Sequence, residues 1–179
     1  AVLALLQVEP SVFDELLRIQ LALVLRKRAL ERTAKGIVHD GSGELVRRFH
    51  DALPYPLTGA QDRVIREITG DLTGAHPMHR LLQGDVGSGK TAVALYALLR
   101  AVESGRQGAL MAPTETLAEQ HFVTVEGICA QLGVRAALLT SSLTARERST
   151  VRQLLASGDV QIAVGTHARD PGASWGGTG

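Results

Sequence analysis

Apolar positions in the first third of the chain recur at helical steps. Phe13, Leu16, Leu17, Leu21 and Val24 fall three and four residues apart, the spacing that lines one face of a helix. Ser11 followed by Asp14 is a capping-box-like start. The cluster Arg26-Lys27-Arg28 suits a helix C-terminus and a solvated face, with DNA contact as the other reading. The pattern predicts one long amphipathic helix. Gly36 and Asp40-Gly41-Ser42-Gly43 break it, and Leu45, Val46, Phe49 and Leu53 mark a short second helix ending at Pro54-Tyr55-Pro56.

From Leu57 the pattern alternates. It predicts a helix over 58–73, a strand near Arg80–Gln83, a helix from Lys90 and a strand near Ala109–Ala112. A helix from 115, a strand near Val134–Leu139, a helix from 145 and a strand near Val160–Val164 follow. Strands separated by helical stretches imply an α/β fold with a parallel sheet and crossover helices. Residues 169–179 lose both periodicities and become glycine-rich, which predicts an irregular tail.

Composition narrows the classes. The 179 residues are 45% hydrophobic and 21% charged, a globular balance that excludes disorder as the main description. No uncharged stretch is long enough for a membrane span, and the apolar opening Ala1 to Leu6 lacks a basic leader. The lone Cys129 excludes an internal disulfide framework and reads as a small buried hydrophobe. Nineteen basic against eighteen acidic residues leave a net charge of +1, so bulk charge neither supports nor excludes a nucleic-acid partner. Lysine occurs only at 27, 35 and 90.

Lys90 completes the one motif that matches in full. Gly84-Asp85-Val86-Gly87-Ser88-Gly89-Lys90-Thr91 fits G-x-x-x-x-G-K-[ST], the phosphate-binding loop. Its glycines let backbone N–H groups turn inward around a phosphate, and the helix that follows aims its positive end at the same place. Lys90 supplies a charge for the β- and γ-phosphates, and the Thr91 hydroxyl a ligand for Mg²⁺. The loop implies a nucleoside triphosphate without saying which chemistry follows.

The segment Leu53-Pro54-Tyr55-Pro56-Leu57-Thr58-Gly59-Ala60-Gln61 resembles the adenine-sensing Q motif of superfamily 2 helicases. Met78 through Thr91 resembles motif I of the bacterial RecG family of branch-migrating DNA helicases within that superfamily. Ala112-Pro113-Thr114-Glu115-Thr116-Leu117-Ala118-Glu119-Gln120-His121 is similar to motif Ia of that family, and Val164-Gly165-Thr166-His167-Ala168 to the motif that follows on the DNA-facing side. Ordered resemblance runs from about residue 12 to 168. It implies a helical linker over 1–52, leading from an N-terminal DNA-binding wedge domain, and a partial first RecA-like motor domain over 53–168.

Carried over residue by residue, the resemblance gives Gln61 to adenine, which its paired donor and acceptor would favour over guanine. Thr58-x-x-Gln61 is equally a capping box. Tyr55 covers a base or packs under the loop. Thr114, Thr166 and Ser142 become DNA contacts at the carboxyl edge of the sheet, where Thr114 and Thr166 also have the plain role of cap or turn residue. His167 is a weaker candidate. At Ser141 the family usually has glycine, which weakens a close backbone approach to DNA at that loop. Implied with these are ATP and Mg²⁺, branched double-stranded DNA (forks and Holliday junctions) as partner, and a monomeric, cytoplasmic bacterial enzyme without a membrane role.

Hydrolysis needs an aspartate for Mg²⁺ and a second acid for the attacking water at the end of an apolar strand. The sequence holds no such pair, since Asp170 in Arg169-Asp170-Pro171-Gly172 follows no apolar run. The resemblance further implies a second motor domain and a wedge domain beyond these residues, with which the start at Ala1 agrees. The expectation is therefore a fragment that binds ATP weakly and hydrolyses essentially none, from a translocase that remodels stalled forks in repair and recombination. Rivals are the transcription-repair coupling translocase, which usually carries tyrosine at the position of Ser88, another P-loop NTPase such as a GTPase or kinase, and a non-catalytic nucleotide-binding module.

Overall fold

Three threonines set where three of the helices begin. Thr58 accepts from the Gln61 amide at 3.2 Å and starts α3 (Gly59–Leu72). Thr144 accepts from the Glu147 amide at 3.2 Å and starts α6 (Ala145–Ala156). In both, the third-residue side chain returns the bond to the threonine's own amide, which closes a full capping box. Thr114 caps α5 (Glu115–Leu132) through Leu117 N–H. The computed structural model describes residues 10–33 and 35–166; the opening Ala1 to Leu6, His167 and the tail predicted at 169–179 lie outside them.

The remaining elements are α1 (Pro10–Thr33), α2 (Glu44–Ala52), α4 (Lys90–Glu103), β1 (Gly108–Ala112), β2 (Ala136–Leu139) and β3 (Ile162–Thr166). The fold class is α/β as expected. The three strands form a parallel sheet ordered β1-β3-β2, with Ala109 beside Ala163 and Ala137 beside Ala163 in the two ladders. Central β3 has Ile162, Ala163 and Val164 all buried, the continuous apolar run of a strand covered on both faces. Helix α5 packs against all three strands, and α2 packs against both α4 and α5. Phe49 of α2, fully buried, sits in one cluster with Leu95, Leu99, Val125, Cys129, Ile162 and Val164. Tyr96 of α4 stands 6.5 Å from the Phe49 ring, and its hydroxyl lies 2.6 Å from Thr69 Oγ1 of α3. Among the described residues, no helix is long and apolar enough to cross a membrane.

Several sequence expectations need correction. Arg80–Gln83 is not a strand: it has no ladder partner among the described residues, and Leu81 is 83% exposed. A strand is a property of a pair, and two leucines cannot supply the second chain. Instead Arg80 fastens the segment to α3, donating to Asp71 at 2.7 Å and pairing with Glu67. Helix α1 begins at Pro10, so Ser11 lies inside its first turn, and it runs on to Thr33, so Arg26-Lys27-Arg28 is not its end. Its apolar side chains Phe13, Leu16, Leu17, Leu21 and Val24 are exposed, as are Ile19, Leu23 and Leu25. The predicted stripe is thus neither narrow nor buried.

Two strands start later than predicted, each for a hydrogen-bonding reason. Gly133 ends α5 in the left-handed region at φ 73°, and Val134 N–H is spent on Cys129 O at 2.9 Å, so β2 starts at Ala136. Val160 N–H bonds back to Leu154 O at 3.1 Å, so β3 starts at Ile162 and reaches Thr166. Cys129 is buried as expected, and burial with the nearby Glu126 charge pushes its thiol up to about 11.

Phe49→Ala is expected to cost about 3–5 kcal/mol in equilibrium denaturation, against about 0.5 kcal/mol or less for Val123→Ala on the exposed face of α5. At pH 8 the Cys129 thiol is protonated as well as buried, so thiol reagents are expected to react slowly with folded protein and promptly once it is unfolded.

Candidate functional site

Helix α4 begins differently from α3, α5 and α6. Its N-cap is Gly89, at φ 78° and with no side chain to accept a hydrogen bond from the first turn. The first amides of any helix lack intrahelical acceptors, and here no side chain offers one, so the positive end of α4 is left for another anion. Gly87 takes φ 83° within the same loop, a left-handed turn that side chains resist. At Gly89 a Cβ would also meet Gln61 Nε2 at 2.2 Å. Gly87 and Gly89 are thus demanded by the loop's curvature, and Gly89 also by its approach to α3.

Lys90, the first residue of α4, folds back across the loop. Its Nζ donates to Gly84 O and to Asp85 O, each at 2.8 Å. A cation held by two neutral carbonyls is ready to exchange them for a stronger, charged acceptor. Thr91 follows, half-buried, while Asp85, Val86 and Ser88 lie exposed on the loop. The cradle is therefore built, with its ammonium parked on its own rim.

Gln61 joins this loop to α3. Its Oε1 accepts from Thr58 N–H at 2.8 Å, and its Nε2 donates to Ser88 O at 2.9 Å. The capping role raised from the sequence is thus observed, together with a bridge to the phosphate loop that the sequence did not reveal. Between α3, the segment 82–85 and α4 lies a cleft of about 340 Å³. Val64, Leu82 and Val93 give it apolar walls, while Gln61, Asp85, Ser88 and Lys90 line its polar side. Tyr55 is 79% exposed and does not pack beneath the loop.

The other candidates gather elsewhere, at the carboxyl edge of the sheet. Thr114 follows β1, Ser142 follows β2, and Thr166 ends β3, in register with Ala112. Because the strands are parallel, all three share that edge. Thr114 caps α5, and Ser142 Oγ lies 2.7 Å from Thr140 Oγ1. Sequence reasoning missed two residues that shape this edge. Glu115 accepts from the Ser141 amide at 3.1 Å and pairs with its hydroxyl; Arg148 donates to Ser141 O and Leu143 O at 3.3 and 3.2 Å. Glu115 reaches Ser141 across 26 positions, so no local pattern announces it, while Arg148 reaches back over the turn that leads into its own helix.

A loop of the phosphate-binding pattern at the start of a helix, in an α/β fold with a parallel sheet, places the chain among P-loop domains. The DEAD/DEAH box helicase family model matches residues 58–172, and the chain belongs to that family, whose members use nucleotide. More particularly, the chain is similar to the ATP-dependent DNA helicases RecG. It is 49% identical over 157 residues to the Bacillus subtilis protein, covering 88% of this chain and 23% of that one. Against the Synechocystis RecG it is 43% identical over 157 residues, covering 88% and 19%. A solved structure of RecG bound to a three-way DNA junction superposes with a TM-score of 0.80 at 39% identity, over 87% of this chain and 21% of that one. The chain spans about a fifth to a quarter of the length of these relatives.

Gln61→Ala removes the return half of the capping box and the bridge to Ser88, and is expected to lower stability by about 1–2 kcal/mol in denaturant titration. An unchanged midpoint would show that these bonds do not hold the start of α3.

Proposed function

We propose that the cleft binds ATP and that the longer protein to which such a domain belongs couples ATP hydrolysis to translocation on branched double-stranded DNA. The observation that carries the nucleotide reading is the uncapped start of α4 beside a lysine held only by carbonyls. A triphosphate would give the α4 amides their missing acceptor and draw Lys90 Nζ off Gly84 O and Asp85 O. The amides of Asp85, Val86, Gly87, Ser88 and Gly89 would line the phosphate path, with Thr91 offering its hydroxyl to Mg²⁺. When bound, Mg²⁺ neutralises phosphate charge as the γ-phosphoryl group departs. Gln61 would meet adenine by trading Thr58 N–H or Ser88 O for the base edge, and exposed Tyr55 is free to cover it.

The DNA reading rests on the shared sheet edge and on the RecG likeness. Capping and DNA binding do not exclude each other at Thr114, because its hydroxyl accepts from Leu117 N–H while keeping its own O–H to donate. Ser142 and Thr166 offer hydroxyls along the same edge, suited to successive phosphates. In this reading residues 53–168 are part of a first RecA-like motor domain and 1–52 lead from a DNA-binding wedge domain, with α2 fixed to the motor through Phe49. A bacterial, cytoplasmic monomer that remodels forks and Holliday junctions belongs to the same proposal.

Titration with a fluorescent ATP analogue and Mg²⁺ tests the nucleotide reading. Binding is expected to weaken at least about tenfold, or 1.4 kcal/mol, in Lys90→Ala, and ATP is expected to compete better than GTP. Preferential GTP binding would remove the role given to Gln61. With no acid pair at a strand end, turnover by these 179 residues is expected to be essentially nil; helicase-like turnover abolished by Lys90→Ala would contradict that.

A further inference from the structure

The two helices whose first turns flank the cleft are stitched together at their opposite ends. Gly36 N–H donates to Ala75 O at 2.8 Å and His39 N–H to Leu72 O at 2.9 Å, both at the C-terminal end of α3. The same segment then crosses to the C-terminal end of α4. Arg100 Nη2 donates to His39 O at 2.9 Å and Nη1 to Gly41 O at 3.3 Å. Leu45 N–H donates to Glu103 Oε1 at 2.7 Å, and Gly41 N–H to Ser104 Oγ at 3.3 Å. Arg100 and Glu103 pair at 3.1 Å with side chains only 8% and 6% exposed.

This is more apparatus than a linker needs. A buried ion pair of this kind gives little net stability, because desolvation offsets most of the attraction, yet it tolerates the loss of a partner badly. What it provides is a fixed geometry. The approach is tight on both sides: a Cβ at Gly36 would meet His76 C at 2.5 Å, and one at Gly41 would meet Glu103 Cγ at 2.6 Å. Helices α3 and α4 have 14 residues each, so each is a rigid rod of roughly 21 Å. Tyr96 at the middle of α4 bonds Thr69 in the last turn of α3. The segment 36–45 and the Thr69–Tyr96 bond thus hold the C-terminal turn of α3 against α4, and because α3 is a rigid rod they bias the spread at the other end, which the Gln61–Ser88 bond spans. That other end holds Gln61 on one rod and Lys90 and Thr91 on the other.

We propose that residues 36–45 are a strap that sets the spread of α3 and α4, with Arg100 and Glu103 as its positioning residues, so that nucleotide in the cleft and closure of the strap are coupled. The inference rests on the nucleotide reading of the cleft. Coupling of binding free energies is reciprocal. Nucleotide therefore tightens the strap, and a loosened strap weakens nucleotide binding.

Hydrogen exchange followed by peptide, on the chain with and without the magnesium complex of a non-hydrolysable ATP analogue, tests this. In the wild type, residues 84–91 and 36–45 are both expected to slow, the strap by about fivefold. Glu103→Gln and Gly41→Ala are expected to bind the analogue about fivefold or more weakly. At saturation their 84–91 stretch stays protected while 36–45 no longer responds. Gly41→Ala pushes the strap off without leaving a buried charge unpaired, and exchange of the β3 peptide reports that each variant is folded. Slowing at 84–91 with an unmoved 36–45 in the wild type overturns the coupling and leaves the nucleotide reading intact, as does wild-type affinity in a folded Gly41→Ala. No slowing at 84–91 overturns the nucleotide reading and this inference with it.

Discussion

A helix start without a cap is a debt in hydrogen bonding, and in this domain only α4 among α3 to α6 leaves it open. Three threonines satisfy the first turns of α3, α5 and α6, while Gly89 offers α4 nothing but a left-handed backbone turn. The loop must curve and stay bare so that its amides can face a ligand, and a bare loop cannot hold itself in place. The surrounding residues do that work. Gln61 bonds Ser88 O from the side, Lys90 braces Gly84 O and Asp85 O from within, and Arg80 ties the incoming segment to α3 through Asp71 and Glu67. The loop's form thus rests on bonds from Gln61, Lys90 and Arg80 rather than on a cap of its own.

The core beneath has a matching logic. Phe49 of α2 is buried between α4 and α5, so α2 closes the same apolar cluster that covers β3. Burial of one aromatic ring fixes α2 to both helices, and the bonds of the preceding segment to Arg100 and Glu103 orient what comes before it. Helix α1 has no such anchor in its own composition. Its large apolar side chains from Phe13 to Leu25 are exposed around much of its circumference, a distribution that suits a helix enclosed by other chain or protein rather than one facing water.

At the carboxyl edge of the sheet, chemistry and scaffolding share atoms. Thr114 caps α5 and keeps a donor; Glu115 and Arg148 hold the Ser141 loop from two helices. Where the RecG pattern usually has glycine, the hydroxyl of Ser141 is taken up by Glu115. A bond across 26 positions therefore occupies the hydroxyl at this position, and it places a carboxylate beside Ser142 at the edge proposed to meet DNA.

What the sequence by itself determined was everything with a short repeat or a fixed spacing. The phosphate loop is eight consecutive residues whose backbone needs are written in its glycines, and α3, α5 and α6 show helical periodicity with threonine starts. Such features are local, so a window of sequence contains their cause. Tertiary structure decided the rest. Arg80–Gln83 is apolar enough for a strand but lacks a partner, and the stripe on α1 meets no core. Gln61 reaches Ser88 across 27 positions, and Glu103 reaches Leu45 across 58. Pairing, burial and long-range hydrogen bonds belong to two segments at once, and only folding brings the second segment into place.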